Sequence, residues 1–233
     1  MLTVVVGAGP GMGMALARRF GAAGPVALVV RRLAAGEALV EELAGQGIAG
    51  HAYAADIGDE SSLRAAFDAV RATQGEPDVV IVNTSVGAGG SPADVTVADL
   101  RSAFDVGVVG AVVAYQAVLP AMLTRGSGTF LVTGSGVALS PWAGGTALTL
   151  AKTAVRAFVL AAAQDTEGTG VHVATVTVAG VLGKPGFEPD TVAERFWELH
   201  SQPSGSWDTE IVHRGWDGLR RETTVTGPPR RPT

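Results

Sequence analysis

The sequence predicts a single-domain, doubly wound α/β fold, a parallel sheet with helices on both faces. Three observations predict it. Short runs of Val, Ile, Leu and Ala carry little polar alternation, as strands covered on both faces require. Stretches of helical length separate these runs. A glycine-rich turn joins the first run to the first helical stretch.

Taken in order, strands are expected at 2–6, 26–30, 51–54, 78–82, 129–132 and 171–178. Helices are expected at 12–23, 34–46, 60–73, 97–123 (as two helices) and 144–166. Asp59, followed by Ser62 and Leu63, has the pattern of a helix N-cap, a short acceptor facing free N–H groups. From Gly183 to Arg214 the pattern changes to Gly, Pro and Trp around a short helix at 191–200. Residues 183–208 are expected to form a substrate lid, and 209–213 a last strand. The domain then spans 1–215, and 216–233, ending Gly-Pro-Pro-Arg-Arg-Pro-Thr, is expected to be a disordered tail.

The bulk numbers agree with a large core. The chain has 233 residues, 47% of them hydrophobic and 17% charged, enough to bury roughly 70–75% of its unfolded surface. No cysteine is present, which excludes disulfides, thiolate metal sites and cysteine nucleophiles. The net charge of −5 offers no electrostatic case for nucleic acid or an anionic membrane. His51 and His172 lie in or beside strands without ligands at metal spacing, so no metal is expected. The apolar stretch 106–123 is interrupted by Gly107, Gly110, Gln116 and Pro120, which suits a buried helix better than a membrane span. No charged region or cleavage site precedes the first strand, so no signal peptide is expected and the cytoplasm is the expected location.

The turn after the first strand reads Gly7-Ala8-Gly9-Pro10-Gly11-Met12-Gly13. Glycine is needed where backbone must turn tightly and touch a pyrophosphate, and the helix N-terminus behind it offers N–H groups and partial positive charge. Such a turn alone is weak evidence; between a first strand and a helix it reads as a dinucleotide cradle, and the fold as Rossmann-type. The second strand ends Val29-Val30-Arg31-Arg32, without the carboxylate that would hold an adenosine ribose 2′-hydroxyl. Two guanidiniums suit a 2′-phosphate instead, so NADP(H) is expected in preference to NAD(H).

With these motifs in view, residues 1–182 resemble the short-chain dehydrogenase/reductase family. Gly7, Gly11 and Gly13 match its Gly-x-x-x-Gly-x-Gly loop. Asp56-Ile57 is similar to its adenine-contacting pair, and Asn83-Thr84-Ser85-Val86 to its Asn-Asn-Ala-Gly element, with only the Asn retained. Ser135 falls where the family carries its catalytic serine, and Lys152, 17 residues later, where it carries its lysine. The resemblance implies a nicotinamide oxidoreductase with Ser135 and Lys152 as catalytic residues. It also implies cofactor contacts from Gly7, Gly9, Gly11, Met12, Gly13, Arg31, Arg32, Asp56, Ile57, Asn83, Thr84, Ser85, Lys152 and Val181.

The departures bear on mechanism. The family's catalytic tyrosine belongs four residues before the lysine, where this sequence has Leu148; its relay asparagine belongs near position 107, here a glycine. The usual Pro-Gly after the sixth strand is Ala179-Gly180. A positioned acid is worth roughly 10²–10⁴-fold in rate, and leucine supplies none. Thr146 and Thr149 are far weaker acids, and Tyr115 is expected in the core or an interface. Trp142 is either a pocket wall or helix-edge packing, and Phe187, Phe196, Trp197 and Trp207 either a lid surface or core. Gly144 and Gly145 are expected to let backbone approach the cofactor.

Helices 104–123 and 146–163 are apolar almost all round. In the family the corresponding helices pack against a neighbouring subunit, which implies a homodimer or homotetramer. The leading expectation is an atypical NADP(H)-dependent oxidoreductase acting on a small carbonyl, alcohol or imine. The alternatives are an NADP(H)-binding sensor or partner subunit without turnover, and a non-redox enzyme on the same scaffold.

Overall fold

The computed structural model describes residues 1–215; the expected tail at 216–233 lies outside the described residues. Seven strands form one parallel sheet in the order β3-β2-β1-β4-β5-β6-β7. They are β1 (Thr3–Val6), β2 (Val26–Val30), β3 (Gly50–Ala54), β4 (Val79–Val82), β5 (Gly128–Ser135), β6 (Val171–Val178) and β7 (Glu210–His213). The helices are α1 (Met12–Gly21), α2 (Leu33–Ala44), α3 (Glu60–Gln74), α4 (Val97–Phe104), α5 (Gly110–Arg125), α6 (Thr146–Asp165) and α7 (Pro189–His200). Asp59 caps α3, its carboxylate accepting from the Ser62 N–H.

Successive strand residues point to opposite faces. Val4, Val6, Val80, Val82, Phe130 and Val132 pack with Leu63 and Phe67 of α3, Val118 and Met122 of α5, and Val155 and Val159 of α6. Val5, Val79, Ile81 and Leu131 face Leu16 and Phe20 of α1, Leu43 of α2, and Val192 and Phe196 of α7. This two-sided burial explains the near-continuous apolar runs in the sequence. The edge strand β3 is the exception: none of its residues is fully buried, and His51 is exposed.

Several element boundaries differ from expectation. The two helices expected in 97–123 form one continuous run joined by a π-helical segment, Asp105–Val109. The extra residue falls where side chains have no room: a Cβ on Gly110 would lie 2.4 Å from Ile57 Cγ2. Strand β5 runs three residues past its expected end, to Ser135, because β6 continues beside it in register. Helix α6 starts at Thr146, not 144, and α7 starts earlier than expected, with Pro189 in its first turn.

Helix α7, within the segment read as a lid, packs on α1. Arg18 and Arg19 pair with Asp190 and Glu194 at 2.7 Å, and Arg19 also lies 4.0 Å over the Trp197 ring. Phe196 is fully buried, Trp197 stands edge-on to Phe20, and Trp207 stacks flat on His172. These three aromatics therefore serve packing. Tyr115 is core, edge-on to Phe130 and Phe158.

Candidate functional site

The chemistry-bearing residues collect at the carboxyl ends of the strands. At the end of β1 the chain enters the left-handed region at Gly7, φ +82°, and the N–H groups of Gly7 and Ala8 both reach the Val29 carbonyl. A Cβ on Gly7 would lie 2.5 Å from the Asn83 carbonyl oxygen, and one on Gly13 2.7 Å from Ala8 Cα. Folding alone demands glycine at these two positions. Gly9 and Gly11 are different: a Cβ on either would meet no heavy atom of the described residues within 4 Å. That open space lies before α1, whose N-terminus has no side-chain cap and no acidic residue in its first turn. Free amides, a positive helix end and room beside two glycines fit a pyrophosphate.

Arg31 and Arg32 are exposed at the end of β2, and among the described residues neither pairs with a carboxylate. Asp56 is exposed after β3, its carboxylate accepting from the Gly58 N–H at 3.0 Å. Ile57 is buried beneath the turn, within packing distance of a Cβ built on Gly7. It supports the glycine loop from below.

Asn83 ties three strand ends together. Its Nδ2 donates to the Gly7 carbonyl at 3.2 Å, and its Oδ1 accepts from Thr133 Oγ1 at 2.9 Å. Thr84 is buried and Ser85 exposed. Lys152, 5% exposed, donates from Nζ to the carbonyl oxygens of Thr84 at 3.0 Å and Thr133 at 2.8 Å. Burial pushes the pKa of its ammonium down to about 8. Ser135 ends β5, and its Oγ accepts from the Val137 N–H at a long 3.5 Å, while its own proton has no acceptor among the described residues.

Leu148 lies one turn before Lys152 on α6 and is half-buried; its N–H donates to the Ala88 carbonyl at 3.4 Å. The Thr146 N–H donates to the Gly90 carbonyl at 3.0 Å, so the loop after β4 is laced to the first turn of α6. Gly107 lies in the π-helical segment facing that helix, its added Cβ 3.3 Å from both Ala151 Cβ and Val86 Cγ1. Thr149 Oγ1 is taken by the backbone of Trp142. Val181 is exposed on the turn after β6. The space expected to admit cofactor beside Gly144 and Gly145 is filled instead by the Trp142 ring.

Two participants are absent from the sequence reading. Thr133 holds Asn83 with its hydroxyl and Lys152 with its carbonyl; a threonine inside a buried strand end needs a partner, and that was the available signal. Arg156, one turn beyond Lys152, bonds through Nε to Glu210 of β7 at 2.8 Å, and Thr177 bonds the same carboxylate. Burial raises the Glu210 pKa, but these hydrogen bonds outweigh it and hold the carboxyl below its ordinary range. No local sequence pattern links residues 54 positions apart.

Residues 2–185 match the short chain dehydrogenase family, and the chain belongs to this family of NAD(P)-dependent oxidoreductases. It is 31% identical over 178 residues to sulfoacetaldehyde reductase 2 of Chromohalobacter salexigens, covering 75% of this chain and 70% of that protein. It is 27% identical over 220 residues to D-threitol dehydrogenase of Mycolicibacterium smegmatis, covering 94% and 75%. Among solved structures, a metagenomic short-chain oxidoreductase in complex with NADP superposes with a TM-score of 0.84 at 28% identity, covering 91% of this chain and 96% of that one.

Proposed function

We propose that this protein is an atypical NADP(H)-dependent oxidoreductase, exchanging hydride with a small carbonyl, alcohol or imine without a tyrosine acid. The observation that carries the reading is the open space at Gly9 and Gly11, before the uncapped α1 and near Arg31 and Arg32, which pair with no carboxylate among the described residues. The NADP carried by the metagenomic relative supports it. The backbone N–H groups of Gly9, Gly11, Met12 and Gly13 would hold the pyrophosphate, and Arg31 and Arg32 the 2′-phosphate. Asp56 would face the adenine side, while Asn83, Thr84, Ser85, Val181 and Lys152 would border the nicotinamide and its ribose. Bound there, the nicotinamide supplies or accepts hydride.

The residues of the chain do the rest. Ser135 keeps a hydroxyl proton for a substrate oxygen. Leu148, in the place the family gives its tyrosine, excludes water and donates nothing. Water or the substrate then supplies the proton, and a substrate already charged as an iminium needs none. In solution the apolar faces of α5 and α6 would pair with a second copy, as a homodimer or homotetramer. A second reading, an NADP(H)-binding sensor without turnover, is favoured by Leu148 and Gly107 standing at both ends of the family's proton relay.

The test is NADPH binding by calorimetry, then NADPH oxidation against aldehydes, ketones and imines, with Leu148→Tyr in parallel. Turnover by the native chain is expected. Tight binding without turnover, with activity gained in Leu148→Tyr, establishes the sensor, and absence of NADPH binding overturns both readings.

A further inference from the structure

Trp142 sits on the loop that leaves Ser135 and returns to α6, six residues before Leu148. Its backbone is pinned. The N–H and the carbonyl each meet Thr149 Oγ1 at 3.4 Å, and the carbonyl also accepts from the Gly145 N–H at 3.0 Å. The indole lies against Gly144 and Gly145: added Cβ atoms would come within 2.7 Å of Cζ2 and 2.5 Å of Cε3. Those two glycines form a shelf that fixes the ring on one side. The residue is nevertheless 54% exposed. A rigid indole with one supported face and one bare face is built for a contact that the described residues do not supply.

Its surroundings indicate what makes that contact. Residues 136–145 carry no charged side chain, and neither do residues 84–90. Ser135 pairs with Val178 in the sheet, so the loops after β5 and β6 leave side by side. Among the described residues, four of the ten exposed large hydrophobic side chains, Leu139, Trp142, Val181 and Leu182, stand on these two loops. The loops that leave beside Ser135 therefore present mostly apolar side chains, with Lys184 and Glu188 the charged residues of the second loop.

We infer that Trp142 is a stacking platform for substrate, and that the site takes flat, uncharged aryl carbonyl compounds or the corresponding alcohols. The inference rests on the proposed function for the identity of the site, but the contact itself is one of binding. An indole face prefers an aromatic ring offset or edge-on over a saturated one of equal size, while a charged acid gains nothing from these walls.

The test uses acetophenone and its saturated counterpart, cyclohexyl methyl ketone, on the full chain with NADP⁺ bound, so that nothing is reduced. Binding is read by calorimetry and by quenching of tryptophan fluorescence. Acetophenone is expected to bind about fivefold to tenfold more weakly to Trp142→Ala, with Trp142→Phe retaining most of the affinity. The saturated ketone, which loses only apolar burial, is expected to weaken less than acetophenone in Trp142→Ala, and NADP⁺ to bind both variants as it binds the native chain. Equal acetophenone affinity in Trp142→Ala, equal binding of benzoate, or no binding at all overturns the inference. So does a change in sedimentation caused by Trp142→Ala, which assigns the indole to a second copy. Should the chain bind no NADP(H), the proposed function fails, while quenching of the cofactor-free protein by acetophenone still decides the platform.

Discussion

Lys152 Nζ donates to the carbonyl oxygen of Thr133 at 2.8 Å, from a residue only 5% exposed. Burial lowers its folded pKa from 10.5 to about 8. For a base, a depressed folded value means that burying the charge costs stability. That cost is fully present below about pH 8 and is relieved as pH rises toward 10.5, where the folded lysine is neutral and the unfolded one still holds its proton. At about 1.4 kcal/mol per tenfold, the window corresponds to about 3 kcal/mol. Urea unfolding of the native chain and Lys152→Met at pH 7.5 and 10.5 should show the native chain gaining on the variant by that order. A difference that does not change with pH would show that the ammonium is solvated.

Asn83→Ala leaves the Gly7 carbonyl and the Thr133 hydroxyl without their partner. The expected loss is about 1–3 kcal/mol in unfolding free energy. NADPH affinity should fall as well, because the glycine turn loses its tie to β4. An unchanged denaturation midpoint would remove Asn83 from the support of that turn.

The glycines of the turn should separate into two kinds. Gly13→Ala places a methyl 2.7 Å from Ala8 Cα and should cost stability, about 1–3 kcal/mol, before any ligand is added. Gly9→Ala meets nothing among the described residues and should leave thermal unfolding nearly unchanged while weakening NADPH about tenfold or more. Calorimetric titration beside thermal melts distinguishes the two, and a Gly9→Ala chain that binds NADPH normally would refute the cradle.

Arg31→Ala and Arg32→Ala should each weaken NADPH by about tenfold to a hundredfold and leave NADH little affected, since a charge-assisted hydrogen bond is worth about 1.5–3 kcal/mol. Equal losses for both cofactors would mean that the guanidiniums do not meet a 2′-phosphate.

The strands were legible because two-sided burial writes itself as unbroken runs of Val, Leu and Ile, and β6 is found at its expected limits. The glycine turn was legible because its chemistry is local. Geometry that joins distant segments was not. The lacing of Ala88 and Gly90 to α6 and the bond from Lys152 to Thr133 depend on which loops the sheet order brings together. The π-helical segment escaped for a related reason, since what crowds Gly110 is Ile57, from another part of the chain. Aromatic residues were ambiguous throughout. Phe196 and Trp142 look alike in sequence, yet one is sealed against α1 and the other lies half open on a glycine shelf.

The bridge from Arg156 to Glu210 gives the C-terminal strand influence over the middle of the chain. A guanidinium one turn from Lys152 takes its countercharge from β7, which follows α6 in the chain by more than forty residues. Until that carboxylate arrives, the helix bearing the lysine has a cation beside β6 without its carboxylate partner. A ribosome-bound chain that ended before β7 would thus hold every residue of the glycine cradle and still have an unanchored helix at the nicotinamide end.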